Sequence, residues 1–168
     1  HWELLRRNTL YGFDFDPTMV RIASMNMILH GIEHPNIKRL DTLSKSFQHK
    51  EEYDVVLANP PFTGVIESSD INNNFKVGTT KTELLFLELF HNLLHIGGRC
   101  AVVVPNGVLF SSSIAHIQVR KLLLENVTFL KIVRLPDNIF ENVKVETVII
   151  IYQKKKHANK QEDCEVLI

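Results

Sequence analysis

Four consecutive residues carry the most specific chemistry in the chain: Asn59, Pro60, Pro61 and Phe62, directly after the apolar run of "VVLA". Prolines cannot continue a central strand, and they withhold two backbone N–H donors. What remains is acceptors, the side-chain oxygen of Asn59 and the carbonyl of Pro60. Two convergent acceptors suit an amino group that must lose proton density as it attacks, and the Phe62 ring offers a flat stacking face. Together they describe a pocket for a planar base bearing an NH2; the plainer reading is a rigid turn after a strand. Two acids add to the pattern. Asp14 closes "YGF" and Asp41 closes "IKRL". In open α/β sheets ligands bind beyond the carboxyl ends of the strands. An acid placed like Asp14 can hold both ribose hydroxyls of a nucleotide-like cofactor, and in dinucleotide folds it follows a glycine-rich turn by roughly 20 residues. Fewer residues precede Asp14, and they hold no glycine-rich turn. On this reading the first strand and its glycine loop lie upstream of residue 1. Asp41 can accept a hydrogen bond from an exocyclic amine such as an adenine N6. The plainer reading of both acids is a turn residue. Asp16 reads as a helix cap.

These residues need elements to hold them. Leu10–Phe15 reads as a strand. The stretch "DPTMVRIASMNMILHG" then reads as a helix, with Asp16 as N-cap, Pro17 at the first helical position and Gly31 as the stop. Val20, Ala23, Met27 and Ile28 form one apolar face, and Ile22, Met25 and Leu29 a second, so two neighbours are expected, one of them the sheet. Ile37–Leu40 reads as a second strand. Tyr53–Ala58 reads as a third, its consecutive apolar residues implying cover on both faces. Thr63–Thr80 is polar and aperiodic, a long loop of the kind that is usually functional or disordered. A helix carrying Phe86, Leu89, Phe90, Leu93 and Leu94 follows, closed by Gly97 and Gly98. Next come a strand over Cys100–Pro105, a helix near Ile114–Glu125, and strands over Phe129–Leu135 and Val145–Gln153. The last connection is too short for a crossover, so those two strands should pair as an antiparallel hairpin. Alternating strands and helices make the class α/β with a mainly parallel sheet.

The chain has 168 residues, enough for a core, and 45% of them are apolar. Lys+Arg and Asp+Glu balance at 19 each, so bulk charge does not point to a polyanion partner; a nucleic-acid contact needs a local patch or another subunit. Cys100 and Cys164 form no CxxC pair. That argues against a disulfide framework or zinc site and suits a reducing cytosol. No apolar stretch is long enough to span a membrane. His91 and His95 stand at metal-compatible spacing but lack the glutamate of HExxH, so a helix edge explains them better. Arg120 and Lys121 read as a solvated helix face. Lys154, Lys155 and Lys156 read as a solvated strand end, with a phosphate contact as the alternative.

The segments "YGFDFDPTMVRIASMNMILHGI", "LDTL", "YDVVLANPPF", "GGRCAVVVPNGVLF" and "RLPDNIFENVKVETVIIIYQK", in that order, are similar to the modification (M) subunit of type I restriction-modification systems, adenine-N6 DNA methyltransferases. Asn-Pro-Pro-Phe alone is shared with RNA and protein methyltransferases; the ordered set is more specific. The resemblance implies a Rossmann-like class I S-adenosylmethionine-dependent methyltransferase fold. It implies that Asp14 holds the ribose of S-adenosyl-L-methionine, that Phe15 lies beside the cofactor adenine, and that Asp41 binds its amino group. Asn59 and Pro60 would bind the target N6, with Pro61 fixing the turn. Phe62 would stack on the target base, and Phe140 would be the second aromatic against it. Phe86 sits where such enzymes have an apolar residue near the cofactor, although core packing explains it equally. DNA, a specificity subunit and a restriction subunit are the implied partners, and the cytoplasm the implied location. Because the glycine-rich cofactor loop and the family's helical N-terminal domain do not occur in the chain, residues 1–168 are expected to be part of a catalytic domain that by itself binds cofactor weakly or not at all. The rivals are an RNA or protein-glutamine methyltransferase using the same pocket, and a non-catalytic assembly module. A nicotinamide dehydrogenase would use the acid after a strand but has no need of Asn-Pro-Pro-Phe.

Overall fold

A computed structural model of the chain describes residues 3–4, 6, 9–136, 139–140, 145–156 and 165–167. Two compact units divide it, residues 1–47 and 48–168.

In the first unit, β1 (Tyr11–Asp14) and β2 (Asn36–Arg39) pair in parallel, with Tyr11 opposite Asn36 and Asp14 opposite Arg39. The crossover is α1 (Pro17–Leu29). Its punctuation is as read from the sequence. The Thr18 N–H donates to the Asp16 carboxylate at 2.7 Å, Pro17 opens the helix, and Gly31 takes the left-handed conformation at φ +83° that an L side chain resists. Of the two apolar faces, Val20, Ala23 and Met27 are half-buried, while Ile22, Met25 and Leu29 stay exposed. The small core is Ile32, Leu43 and Phe47, with the Phe13 ring edge-on to Phe47 at 5.4 Å.

The second unit is a five-stranded sheet in the order β3-β4-β6-β5-β7. Its strands are β3 (Tyr53–Ala58), β4 (Leu94–Pro105), β5 (Val127–Arg134), β6 (Thr147–Lys154) and β7 (Glu165–Leu167). β3 and β4 are parallel, β6 runs antiparallel to both β4 and β5, and β7 is parallel to β5. The expected antiparallel pairing of the last two long strands is present, and β6 reaches it by inserting between β4 and β5. α2 (Thr82–Leu93), the short α3 (Gly107–Phe110) and α4 (Ile114–Asn126) complete the unit. Leu84, Leu85, Leu87, Val102, Val119 and Ile150 are among its fully buried side chains. Each stabilises the fold by about 1.5–3 kcal/mol relative to exposure.

Four expectations are corrected. α2 ends at Leu93, not at Gly97 and Gly98, because Leu94 already turns to extended backbone (φ −72°, ψ 138°). The two glycines serve β4 instead. Gly97 has φ +87°, and a Cβ on Gly98 would stand 2.9 Å from the His95 carbonyl oxygen and 3.1 Å from that of Asp54. Second, β3 is not covered on both faces: it stands at one end of the strand order, and Val55 and Leu57 are 58% and 77% exposed. Third, Lys154 is no solvated strand end. Its buried ammonium donates to the Leu94 carbonyl at 2.7 Å and to Glu51 at 3.1 Å. Fourth, Arg120 leaves the solvated face and ties α4 to α3, donating to the carbonyls of Val108 and Ser111 at 2.9 and 2.8 Å. β7 is a further strand, of three residues, that local sequence pattern does not mark.

Candidate active site

β3 delivers the Asn-Pro-Pro-Phe turn at its carboxyl end. Asn59 is exposed, and among the described residues its side-chain amide has no hydrogen-bond partner. Pro60 is buried and Pro61 exposed, so the turn is anchored at one ring and open at the next. Phe62 is half-buried, and its ring meets that of Phe140 edge-to-face, centroids 5.2 Å apart at 75°. Such pairs prefer this geometry because the positive ring edge faces the negative ring face. Phe140 comes from the connection between β5 and β6, far along the chain from Phe62. The fold therefore unites two of the residues singled out for base stacking. Residues 141–144 of the "NIFENVK" segment lie outside the described residues.

The long polar loop begins at Thr63. Its two ends are held together: the Thr82 N–H donates to the Gly64 carbonyl and the Ile66 N–H to the Thr80 carbonyl, both at 3.1 Å. Gly64 packs closely there: a Cβ would stand 2.6 Å from the Thr82 hydroxyl, so that side chain would have to shift. A second anchor comes from α2. The buried Glu88 carboxylate accepts the N–H groups of Lys76 at 2.7 Å and Val77 at 3.0 Å. Charge-assisted bonds of this kind offset the cost of burying the carboxylate. The loop encloses an open cleft of about 700 Å³ lined by Ser68, Asn72, Asn73, Thr79, Thr80 and Lys81, among others. Sequence reasoning passed over Glu88. The signal was a lone acid inside "LLFLELF", which on an otherwise apolar helix must find donors.

In the first unit, Asp14 and Asp41 stand at the carboxyl ends of two paired strands, and the Leu40 N–H donates to the Asp14 carbonyl at 2.9 Å. Each carboxylate closes a local turn: Asp14 Oδ1 accepts the Asp16 N–H at 2.8 Å, and Asp41 Oδ1 accepts the Leu43 N–H at 3.0 Å. The turn reading is thus satisfied for both. Among the described residues the second oxygen of each has no partner, which leaves an acceptor on each for a hydroxyl or amine. Phe15, next to Asp14 in sequence, is 72% exposed. Acceptors and an open ring fit the ribose hydroxyls and adenine of S-adenosylmethionine.

Phe86 is half-buried and stacks on Phe90 within α2, centroids 5.8 Å apart at 28°. Burial pushes the Cys100 thiol up to about 12, so it is no nucleophile near neutral pH. Burial, with the Lys154 ammonium next in effect, pushes His91 down to about 4. His95 pairs with Asp54 at 3.2 Å. Among the described residues no three His, Cys, Asp or Glu side chains gather as a metal site.

Residues 4–168 match the N-6 DNA Methylase family. The chain is 37% identical over 150 residues to the EcoEI methylase subunit of a type I restriction enzyme from Escherichia coli, a stretch covering 86% of this chain and 30% of that protein. Among solved structures it is similar to a modification subunit assigned to a type I restriction enzyme of Vibrio vulnificus YJ016. That match has a TM-score of 0.82 and 31% identity, covering 96% of this chain and 35% of the other. A protein of Listeria monocytogenes described as a class I S-adenosylmethionine-dependent methyltransferase superposes with a TM-score of 0.76 at 20% identity, over 95% of this chain and 49% of that one, and shows the fold alone. The chain spans about a third of the length of the type I subunits it matches. Its ordered motifs, its class I methyltransferase architecture and its match from residue 4 to residue 168 lead to one conclusion: the chain belongs to the N-6 DNA methylase family.

Proposed function

We propose that this chain supplies the target-base side, and part of the cofactor side, of an adenine-N6 DNA methyltransferase acting as the modification subunit of a type I restriction-modification system. One observation carries the reading: the Asn59–Phe62 turn at the end of β3 brings an uncommitted amide and a ring that meets Phe140 at 5.2 Å. S-adenosyl-L-methionine, when bound, supplies a methyl group already activated on a sulfonium. The rest is positioning, a contribution worth up to about 7–11 kcal/mol.

Adenine N6 is a poor nucleophile because its lone pair is delocalised into the ring. The Asn59 side-chain oxygen and the Pro60 carbonyl accept its two N–H bonds, and those bonds strengthen as positive charge develops on nitrogen. The base must first leave the duplex, at a few kcal/mol. Stacking on Phe62 and Phe140 returns about 1–3 kcal/mol per contact. Asp14, Phe15 and Asp41 are the groups on this chain for the cofactor's ribose and adenine. Ser68, Asn73, Thr79 and Lys81 offer hydroxyl, amide and ammonium donors to the DNA strand beside the target. Target sequence is read by a separate specificity subunit, and a restriction subunit completes the assembly. A DNA substrate and the cysteine usage support a cytoplasmic location.

The test uses the full-length enzyme in its complex. Asn59→Ala is expected to lower tritiated-methyl transfer to adenine in duplex DNA by about 10²–10³-fold while S-adenosylmethionine affinity stays within about threefold. Retained transfer defeats the proposed role of the turn. Transfer to RNA or to a protein glutamine in place of DNA assigns the pocket to another substrate.

A further inference from the structure

Phe140 stands in the connection between β5 and β6, where Pro136, Ile139 and Val145 are exposed, so the ring's placement depends on how the two ends of that connection are held. The root of that connection is pinned by one side chain. Glu146, just before β6, accepts from the Asn106 side-chain amide through Oε2 at 3.0 Å and from the Arg134 guanidinium through Oε1 at 3.3 Å. The Asn106 backbone N–H donates to the Glu146 carbonyl at 2.8 Å, and the Leu135 N–H to the Thr147 carbonyl at 3.0 Å. Asn106 follows β4, Arg134 ends β5 and Glu146 immediately precedes β6, so the carboxyl ends of β4 and β5 meet the amino end of the antiparallel β6 on this residue. Asn106 also occupies the N-cap of α3, where an asparagine ordinarily satisfies the helix's own N–H groups. Here it makes no such bond, and its amide is spent on Glu146.

We propose that Glu146 is a positioning residue for methyl transfer: by tying Asn106 and Arg134 it sets the root from which Phe140 is held against Phe62. The proposal rests on the reading that these two rings take up the target base. Arg134 and Glu146 are each about half exposed, at 47% and 51%. An ion pair in that setting adds little stability. Its effect therefore falls on geometry, where displacement of a positioning group by about 1 Å can cost up to a hundredfold in rate.

The experiment uses the full-length methyltransferase complex and two duplexes: one keeps the target adenine and reads kcat, and the other carries 2-aminopurine in its place, which lacks the 6-amino group and reads only the fluorescence of the extruded base. Glu146→Ala is expected to lower kcat about tenfold and to reduce the fluorescence rise on binding, with S-adenosylmethionine affinity within twofold and melting temperature nearly unchanged. Glu146→Gln keeps one acceptor oxygen but turns an NH2 toward the other donor, so it should fall between the two. Asn106→Ala should resemble Glu146→Ala, and the double variant should be no worse than either alone, because members of one unit are not additive. Wild-type kcat and fluorescence in Glu146→Ala overturn the proposal, as do additive losses or a loss of kcat that only follows a loss of stability. A wild-type enzyme that gives no fluorescence rise overturns instead the reading of Phe62 and Phe140 on which it rests.

Discussion

α1 and α2 are nearly equal in length, with 13 and 12 residues, and both link two strands of a sheet. They differ in what covers them. No residue of α1 is buried, whereas seven of α2 are, Glu88 among them. Both sequences look apolar, so the difference lies in the neighbours. α1 lies on a two-stranded sheet and presents Ile22, Met25 and Leu29 to solvent. α2 belongs to the unit with the five-stranded sheet, and its Glu88 carboxylate also anchors the loop that follows the Asn59–Phe62 turn. The first unit carries the acids proposed for the cofactor, and the second carries the turn proposed for the target. Most of the buried apolar side chains thus lie in residues 48–168, while the proposed chemistry is divided between the two units.

The sharpest way to break that division is kinetic. In the full-length enzyme, Asn59→Ala should lower kcat by about 10²–10³-fold, the scale of losing one preorganised polar contact to developing charge. Asp14→Ala should instead weaken S-adenosylmethionine binding and leave most of the rate at saturation. Equal signatures for the two variants would erase the division. Stability gives the next largest contrast. Leu87→Ala should cost about 2–5 kcal/mol in urea unfolding, as a buried leucine does. Glu88→Ala should cost about 1–3 kcal/mol because the Lys76 and Val77 N–H groups lose their acceptor. It should also expose the 63–81 loop to proteolysis before the rest of the unit.

A pH series adds a smaller effect. His91 is held neutral in the fold, at about 4 against an ordinary value of 6.5, by burial and then by the Lys154 charge. The unfolded chain takes up that proton first, so stability is full above about pH 6.5 and is lost as pH falls toward 4. Glu51, held below its usual range by its hydrogen bond to Lys154, adds a loss in the same direction but below its ordinary value of 4.5. His91→Gln should flatten the slope between pH 6.5 and 4 and leave the more acidic part. The smallest effect is expected at Ile22→Ala, within about 0.5 kcal/mol in this chain. A cost matching that of Leu87→Ala would mean that the open face of α1 is covered when the protein is measured.

Local signals were legible wherever one or two residues decide the backbone. Asp16, Pro17 and Gly31 marked the bounds of α1, and Tyr53–Ala58 is the strand expected. The signals failed where a distant partner decides. Gly97 and Gly98 looked like a helix stop, but the close approach of the Asp54 carbonyl to Gly98 makes them strand residues. Lys154 looked solvated by composition, and only Leu94 and Glu51, brought from elsewhere, explain its burial.

The same boundary runs through the candidate site. The types and spacing of Asn59, Pro60, Pro61 and Phe62 determined by themselves that a strand ends on acceptors and a ring, because proline withholds donors whatever surrounds it. The ordered segments determined the family. Only the tertiary structure decided that β6 lies between β4 and β5, that Phe140 meets Phe62, and that Glu146 joins Asn106 to Arg134. Those are contacts between residues far apart in sequence. No local pattern encodes them, because each depends on where the sheet carries the other partner.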